Sequence, residues 1–340
     1  MLRYFTHRLA MMIPTLLGIS ILCFLLVQLT PGGPVEQTLA MWRGASVGGE
    51  TQGARTAEVT EEQLKSLKAY YGFDKPLLTR YAIWMKKILV LDFGDSYHYN
   101  QPVTELLVER MPVSLTFGLV SFFLTYFICI PLGIFKAIKH GSLFDISSSF
   151  VIFLLYSIPA FAFGVLLIVL FGGGSFWNIF PIQGMVSERF DELSALGKIK
   201  DFVHHMFLPI LCYCLGSFAT ITMLMKNAML EQLKQDYVIT ARSKGLSEWS
   251  ITLQHVLRNA LLPIASGLGD WLTLFFSGSL LIETIFGLQG IGRLSYESII
   301  SRDYPVVLAT IMILSFLHIL GRLISDFLYV WIDPRIDYSR

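Results

Sequence analysis

The chain has 340 residues, of which 54% are hydrophobic and 15% are charged, and its mean hydropathy is +0.60. This balance is far more apolar than that of a soluble globular domain and predicts an integral membrane protein. The formal net charge of +1 gives no reason to expect a nucleic-acid partner. The cysteines lie within apolar runs and lack CxxC spacing, which argues against a disulfide framework or a zinc site; they are Cys23, Cys129, Cys212 and Cys214.

The first apolar run extends from about Leu9 to Leu29, behind a basic N-terminus. It is longer than the apolar region of a signal peptide, and PGGP follows it in place of a small-residue cleavage site, so we predict a retained transmembrane helix within residues 1–30. Residues 31–112 form a polar insert with a Gly/Ser/Thr-rich loop at 44–54. The segments TEEQLKSLKAYYG and KPLLTRYAIWMKKIL predict amphipathic helices in this insert.

Five further apolar runs are long enough to cross a membrane. Their approximate bounds are Val113 to Phe135, Ile146 to Phe171, Met206 to Met225, Ile264 to Ile282 and Pro305 to Trp331. The predicted core, residues 113–340, also contains a second polar insert at 172–205 and a polar stretch at 227–263. The sequence therefore predicts an all-α membrane protein with six transmembrane helices.

Basic residues indicate the orientation of these spans. Lys136 and Lys139 lie in the short loop between the second and third spans, and the N-terminus, the stretch at 227–263 and the C-terminus are also basic. The positive-inside rule places these segments in the cytoplasm. Residues 31–112 contain basic residues too, but segments of that length translocate largely regardless of charge. We therefore predict an N-in, C-in topology, with both polar inserts in the periplasm.

The stretch from Asp236 to Pro263 has the pattern of two short helices. Gly245 suits the left-handed residue that ends the first helix, and Ser247 is a favoured N-cap for the second. We expect residues 243–246 to face a partner protein. Apolar residues at helical spacing predict a packed stripe on the second helix, anchored through Trp249 and Leu253; the stripe comprises Trp249, Leu253, Val256, Leu257, Ala260 and Leu261.

Motifs for catalysis are absent from the sequence. There is no GxxxxGK[ST] phosphate-binding loop, so we do not expect the chain to hydrolyse ATP. HExxH, GxSxG and His/Cys clusters at metal-ligand spacing are also missing, and the pair His204-His205 is better explained as interfacial. We predict no catalytic residue and no metal site.

Gly267 to Asp270 spell GxGD, and intramembrane aspartyl proteases carry a similar motif. Such an enzyme needs a second membrane aspartate, for which Asp145 and Asp326 are the nearest candidates. An ionisable residue in a membrane more often marks a pathway or a helix interface. Asp270 is therefore predicted to line a pathway, to pair with Arg322, or to be exposed near the cytoplasmic end of its span.

The small residues of the fifth span have two interpretations. Spacing such as that of Ala265 and Gly269 permits close helix packing, whereas small polar side chains also suit the lining of a wide pathway. The pathway candidates are Asp270, Thr273, Ser277, Ser279 and Glu283. A secondary transporter that works without an ATPase is a further alternative; it would show an internal repeat, and none is clear.

Residues 240–263 resemble the cytoplasmic EAA loop of permease subunits of binding-protein-dependent ABC importers, in particular the dipeptide and oligopeptide subfamily. The matching residues are Thr240, Ala241, Arg242, Lys244, Gly245, His255, Arg258, Asn259, Ala260 and Pro263. The chain departs from the general consensus at Ile239, where the family has glutamate, and at Thr240. The resemblance continues through the segments TPGGP, YGFDKPLLTRY, LDFGDS, PVSLTFGL, SRDYPVV and DPRID.

The segments PGGPVEQ and GGGSFWNIFPIQG are most similar to the Yej-type branch of this subfamily, whose known substrates are oligopeptides and peptide antibiotics of the microcin C kind. The resemblance implies a type I ABC importer permease of the bacterial inner membrane that works by alternating access. Its implied partners are a second permease subunit, two cytoplasmic ATPase subunits, a periplasmic substrate-binding protein, a peptide substrate and membrane lipid. ATP and Mg²⁺ would bind to the ATPase subunits, and this chain would bind no cofactor.

The resemblance also assigns the coupling to the ATPase subunits to one loop. The expected coupling residues are Asp236, Tyr237, Ala241, Arg242, Ser243, Lys244, Gly245, Leu246, Ser247, Trp249, His255, Arg258 and Asn259.

Overall fold

The computed structural model describes residues 2–29, 35, 39, 61–70, 73–173 and 176–332. Within these residues the regular secondary structure is helical, with isolated β-bridges only at Asp95–Pro102 and Gly172–Asn178. The predicted PGGP stop, the Gly-rich loop at 44–54 and the closing DPRID lie outside the described residues.

Residues 2–233 form seven of the described helices and confirm both amphipathic helices predicted in the first insert. The helices are α1 (Leu2–Leu29), α2 (Glu61–Tyr70), α3 (Leu77–Leu89), α4 (Val103–Ile138), α5 (Leu143–Ser157), α6 (Ala160–Phe171) and α7 (Ala195–Leu233). A short 3₁₀ helix at Phe190–Glu192 precedes α7. Helices α4 and α7 begin about ten residues before the predicted apolar spans, because helical turns continue into the adjoining polar sequence.

Residues 236–332 form mainly short helices and end in a long one. They are α8 (Asp236–Ser243), α9 (Glu248–Ser250), a π-helix (Ile251–Val256), α10 (Leu257–Ala260), α11 (Leu262–Ser266), α12 (Asp270–Ser277), α13 (Leu280–Ile285), α14 (Ile291–Ile300) and α15 (Tyr304–Ile332).

Among the described residues, four helices are long and apolar enough to cross a membrane: α1, α4, α7 and α15. Two further segments qualify only as bent pairs. Helices α5 and α6 meet at 96°, and the helices of 248–266 meet those of 270–285 at 49°. The described part of the chain therefore has four spans, or six if each bent pair is one span.

The predicted third span, Ile146 to Phe171, is two helices in place of one. Ile158 is extended, with φ −90° and ψ 124°, and α6 begins directly after Pro159. Proline disfavours the helical conformation of the residue before it and has no N–H to donate to the preceding turn. Pro159 therefore ends α5 within a continuous apolar run.

The predicted fifth span is also interrupted, and its glycines permit close packing against α15. A Cβ on Gly269 would overlap the carbonyl oxygen of Gly321, and a Cβ on Gly321 would overlap that of Gly269. The Gly269 N–H donates to Ser325 Oγ at 2.8 Å. Gly269, the second glycine of the GxGD motif, is thus required because the backbones of two helical segments cross in contact at this position.

The structure contains two compact units. The first comprises the described residues of 1–9, 110–294 and 317–340. Its interior holds two apolar clusters, one centred on α6, α7 and α13 and the other on α4, α7 and the polar stretch after α7.

The second unit comprises the described residues of 10–109 and 295–316. The ring of Phe24 in α1 lies 5.4 Å from the rings of both Tyr81 and Trp84 in α3. The buried carboxylate of Asp303 accepts hydrogen bonds from Ser96 Oγ, from the Tyr97 N–H at 3.1 Å and from the His98 N–H at 3.2 Å. These contacts fix α3 and the loop that follows it.

A pair of glycine substitutions tests the crossing at Gly321. Gly321→Ala should lower stability by about 1–3 kcal/mol because the new methyl group overlaps backbone atoms. The matched control is Gly216→Ala in α7, where no atom lies within 4 Å of the added Cβ; it should leave stability unchanged or raise it by about 0.5–1 kcal/mol. Thermal unfolding of the two purified variants measures the difference, and equal midpoints would refute the close crossing.

Candidate functional site

The polar hairpin, residues 236–266, leaves α7 and turns at Gly245. Gly245 has φ +79°, and its N–H donates to Arg242 O at 2.9 Å. Ser247 Oγ accepts the N–H of Ser250 at 3.3 Å and caps the second arm. Both local predictions are confirmed: a left-handed glycine ends the first helix, and a serine begins the next.

An exposed ion pair joins the two arms of the polar hairpin. Arg242 Nε donates to Glu248 Oε1 at 2.6 Å, and Arg242 Nη2 donates to Oε2 at 2.9 Å. The hydrogen bonds and charge of Glu248 raise the pKa of Arg242, so the guanidinium stays charged. An exposed pair of this kind contributes little to stability because solvent screens its charges. Its main effect is to hold the turn in one bidentate geometry.

The predicted anchoring of the hairpin by Trp249 and Leu253 is wrong within this chain. Trp249 is 56% exposed and Leu253 is 39% exposed, whereas Ile251 and Val256 are fully buried. Residues 251–256 form a π-helix, which takes more residues per turn than an α-helix. The turn therefore rotates the inward face away from the predicted stripe, of which Val256 and Ala260 remain buried.

The buried face of the hairpin packs against α4 and α7. The hairpin contributes Val238, Ala241, Ile251, Val256, Ala260 and Ile264 to this cluster, and the two long helices contribute Ile134, Ala137, Met225, Ala228 and Met229. Gly133 of α4 brings the helices close, since a Cβ there would lie 2.6 Å from Met225 Cβ. The hairpin is therefore packed as an extension of the two helices.

The tip of the hairpin, residues 242–249, is exposed at every position. It presents charged residues together with apolar ones, including Leu246 at 41% and Trp249 at 56% exposure. Exposed apolar side chains grouped on a polar element are typical of a surface that contacts another protein. We call this surface, with the exposed Ile239 and Leu253 beside it, the tip surface.

The structure separates the expected coupling residues into three groups by exposure. Exposed positions comprise Asp236, Arg242, Ser243, Lys244, Gly245, Leu246, Ser247, Trp249, His255 and Arg258. Tyr237 and Asn259 are partly buried, and Tyr237 donates from its hydroxyl to Gln232 Oε1 at 2.8 Å. Ala241 is buried in the apolar cluster, so within this chain it is a core residue.

A buried charge cluster lies beside the apolar cluster, and sequence reasoning missed it. Lys136 Nζ donates to Asp145 O at 2.8 Å, to Ser148 Oγ at 2.7 Å and to Ser149 Oγ at 2.8 Å. Lys226 Nζ donates to both carboxylate oxygens of Asp145, at 2.7 and 2.8 Å. Lys136 Nζ also lies 3.1 Å from Asp145 Oδ1, so two buried lysines from different helices share one carboxylate.

The position of this charge cluster is what connects it to the hairpin. Lys136 precedes Ala137 in α4, and Lys226 follows Met225 in α7, and both apolar neighbours belong to the hairpin's packed cluster. Asp145 lies in the first turn of α5, where its Oδ2 accepts the Gly141 N–H at 3.1 Å. The cluster therefore joins α4, α5 and α7 at the base of the hairpin. The sequence signal that could have revealed this cluster was the presence of charged residues at the ends of predicted spans.

The pathway candidates of the fifth span fall in different environments. Asp270 is exposed, and among the described residues it forms no ion pair with Arg322, whose Nε lies 3.4 Å from His318 Nε2. Thr273, Ser277 and Ser279 are partly buried. The exposed side chain of Asp270 fits both the pathway and the exposure interpretations, and the described residues show no pairing with Arg322.

Glu283, also predicted to line the pathway, is fully buried, and its carboxylate organises the backbone around it. It accepts the N–H of Arg293 at 2.7 Å and that of Ser279 at 3.0 Å. A carboxylate that accepts several N–H groups compensates the cost of its burial. The structure corrects the prediction: Glu283 holds the segment 279–293 together and does not line a surface of this chain.

The aspartates needed for the protease alternative serve other functions. Asp145 binds two lysines, and Asp326 lies 3.5 Å from Arg8 Nη2. An aspartyl protease needs two carboxylates that share a proton, which anions in ion pairs do not suit. The described residues contain no group of three or more His, Cys, Asp or Glu that suits a metal ion.

Comparison with known proteins identifies the family. Residues 129–338 match the model of the binding-protein-dependent transport system inner membrane component. The chain is 45% identical over 358 residues to the peptidoglycan transport system permease protein YejB of Agrobacterium fabrum, covering 99% of this chain and 98% of that protein. It is 41% identical to the inner membrane ABC transporter permease protein YejB of Escherichia coli O157:H7, with 99% coverage of both.

A third relative is the oligopeptide transport system permease protein AppB of Bacillus subtilis, 35% identical with coverage of 99% of this chain and 100% of that protein. The chain belongs to the family of inner membrane components of binding-protein-dependent transport systems. The family match and the apolar helices confirm the predicted all-α type I permease fold class and the location as a multi-pass inner-membrane protein.

The buried charge cluster gives a stability prediction. Asp145→Asn removes the carboxylate that both lysines contact and should lower the stability of the chain by about 3–5 kcal/mol. The control is Asp92→Asn, which breaks the exposed 3.4 Å pair with Lys87 and should cost about 1 kcal/mol or less. Chemical or thermal unfolding of the purified variants measures both changes. An Asp145→Asn variant as stable as the control would contradict the assigned role of the carboxylate.

Proposed function

We propose that this chain is one permease subunit of an ATP-driven importer that moves peptides across the inner membrane by alternating access. Membership of the transport family supports the general role. Relatives named for peptidoglycan and for oligopeptide transport support a peptide-containing substrate. The observation that carries the proposal is the exposed tip surface, mounted on a hairpin whose other face is packed on two long helices.

The proposed assembly contains a second permease subunit, two cytoplasmic ATPase subunits and a periplasmic substrate-binding protein. ATP and Mg²⁺ bind to the ATPase subunits. The chain has an N-in, C-in topology, which places the hairpin in the cytoplasm and residues 31–112 and 172–205 in the periplasm. The distribution of basic residues around Lys136, Lys226 and the hairpin supports this orientation.

Coupling follows from rigid packing in this proposal. The tip surface docks on an ATPase subunit, and closure of the ATPase pair displaces the hairpin. The apolar cluster and the charge cluster at its base pass this displacement to α4, α5 and α7. Packed interfaces shift between discrete arrangements and resist continuous deformation. The spans therefore move as units, and the pore opens to the other side of the membrane.

The fifth span is the proposed contributor to the pathway, through Asp270, Thr273, Ser277 and Ser279. Its breaks after Ser266 and at Gly278 support this role, because irregular backbone at membrane depth is tolerated where it is enclosed by protein or lines a cavity. The substrate-binding protein makes much of the selection for peptide length and sequence, and microcin-like antibiotics are a finer prediction within the same substrate class.

Substitution of Gly245 tests the coupling proposal. A Cβ at this position has open space around it, so a substitution acts through the positive φ alone. Gly245→Val should distort the turn, because β-branched residues disfavour φ +79°. We expect ATP-dependent peptide uptake into proteoliposomes to fall by about tenfold, with ATP hydrolysis by the complex retained but no longer stimulated by the loaded binding protein.

The matched control is Gly245→Asn, since asparagine tolerates the left-handed conformation better than other residues with a side chain. It should keep most of the uptake and most of the stimulation. Equal uptake by the valine and asparagine variants, at equal amounts of assembled complex, would show that the turn geometry is not part of coupling.

A further inference from the structure

A cleft of about 640 Å³ lies in the second unit. It is bounded by the last turns of α1, by α3, by the loop at 92–100 and by the first turn of α15. Its lining includes polar side chains, such as Arg80 and Gln28, and apolar ones, among them Phe24, Val27, Ile83 and Leu308. A cleft with a lining of both kinds suits an amphiphilic ligand.

The ends of two membrane spans place the cleft at the level of the lipid headgroups. Gln28 is in the final turn of α1, whose apolar segment ends at Leu29, and Tyr304 and Pro305 begin the apolar helix α15. Between these ends α3 carries Tyr81 and Trp84, residues that are enriched at membrane interfaces. The cleft therefore opens where a span leaves the hydrocarbon layer.

Helix α3 itself has the composition of a membrane-surface helix. It contains Arg80, Lys86 and Lys87 and no acidic residue. Several of its apolar side chains are exposed, including Leu78 at 81% and Leu89 at 77%. A basic amphipathic helix with exposed apolar residues binds at the boundary between headgroups and acyl chains.

Arg80 is a charge in the cleft that no carboxylate pairs with among the described residues. Its guanidinium carbon lies 3.9 Å from the centre of the Phe73 ring, and one guanidinium nitrogen donates to Gln28 Oε1. In contrast, Lys87 in the same lining pairs with Asp92 at 3.4 Å. Burial lowers the pKa of Arg80 because the guanidinium loses part of its hydration.

We propose that this cleft binds an anionic phospholipid, with the headgroup phosphate on Arg80 and the acyl chains along the apolar lining residues. The planar guanidinium matches phosphate oxygens, and Arg80 lines the cleft with more N–H donors than the one that Gln28 accepts. Lys75, which also lines the cleft, adds positive charge, and the carboxylate of Asp95 reduces the net positive charge of the lining. The site is separate from the polar hairpin and does not depend on the proposed transport function.

Native mass spectrometry of the delipidated, purified permease complex tests the lipid site. Phosphatidylglycerol is titrated in, and the bound copies are counted. Arg80→Gln should weaken the tightest bound copy by about tenfold or more, since it removes a charge-assisted hydrogen bond. The matched control Arg189→Gln removes an exposed arginine outside the cleft and should leave the lipid count unchanged.

Arg80→Lys keeps the charge but loses the planar donor set, so it should weaken binding only severalfold. If the complex with Arg80→Gln does not assemble, the severalfold loss of lipid affinity expected for Arg80→Lys tests the same proposal. Wild-type affinity in the assembled variants would overturn the proposal. Displacement of the lipid by inorganic phosphate or by the dipeptide alanyl-alanine would also overturn it, because either result would assign the cleft to a soluble anion.

Discussion

The contact on which the first unit depends is the carboxylate of Asp145 between two buried lysines. Lys136 and Lys226 come from α4 and α7, and Asp145 comes from the start of α5, so one anion fixes three helices. Buried lysines without a counterion are costly, which makes the arrangement of these helices sensitive to a single side chain. The same helices support the polar hairpin, and the geometry of the hairpin therefore depends on this cluster.

The hairpin combines a fixed inner face with an unpartnered outer one. Ile251, Val256 and Ala260 are buried against α4 and α7, while residues 242–249 are exposed throughout. An element that is packed on one side and carries exposed leucine and tryptophan on the other is suited to receive a force from a partner and pass it to the helices below. The chain's membership of a transport-system family is consistent with such a role.

Local chemistry explains what could be predicted from the sequence. The left-handed Gly245, the Ser247 cap and the long apolar helices each follow from a few neighbouring residues. The π-helix that exposes Trp249 and Leu253 could not be predicted, because α-helical spacing assumes a constant number of residues per turn. Asp145 binds Lys226, 81 positions away, and buried Glu283 contacts Ser114, 169 positions away, and no local pattern identifies such partners. Pro159 was a visible signal, but its effect was masked by the apolar run around it.

The most direct test of the account is site-specific photo-crosslinking from the tip surface in the intact membrane complex. A benzoylphenylalanine at Leu246, which is 41% exposed, should form a crosslink to an ATPase subunit, whose yield changes when ATP hydrolysis is blocked. The same probe at Leu78, which is 81% exposed in the proposed periplasmic insert, should form none. A complex that assembles but gives no crosslink from Leu246 to an ATPase subunit, or gives one from Leu78, would contradict the assignment of the hairpin as the coupling element.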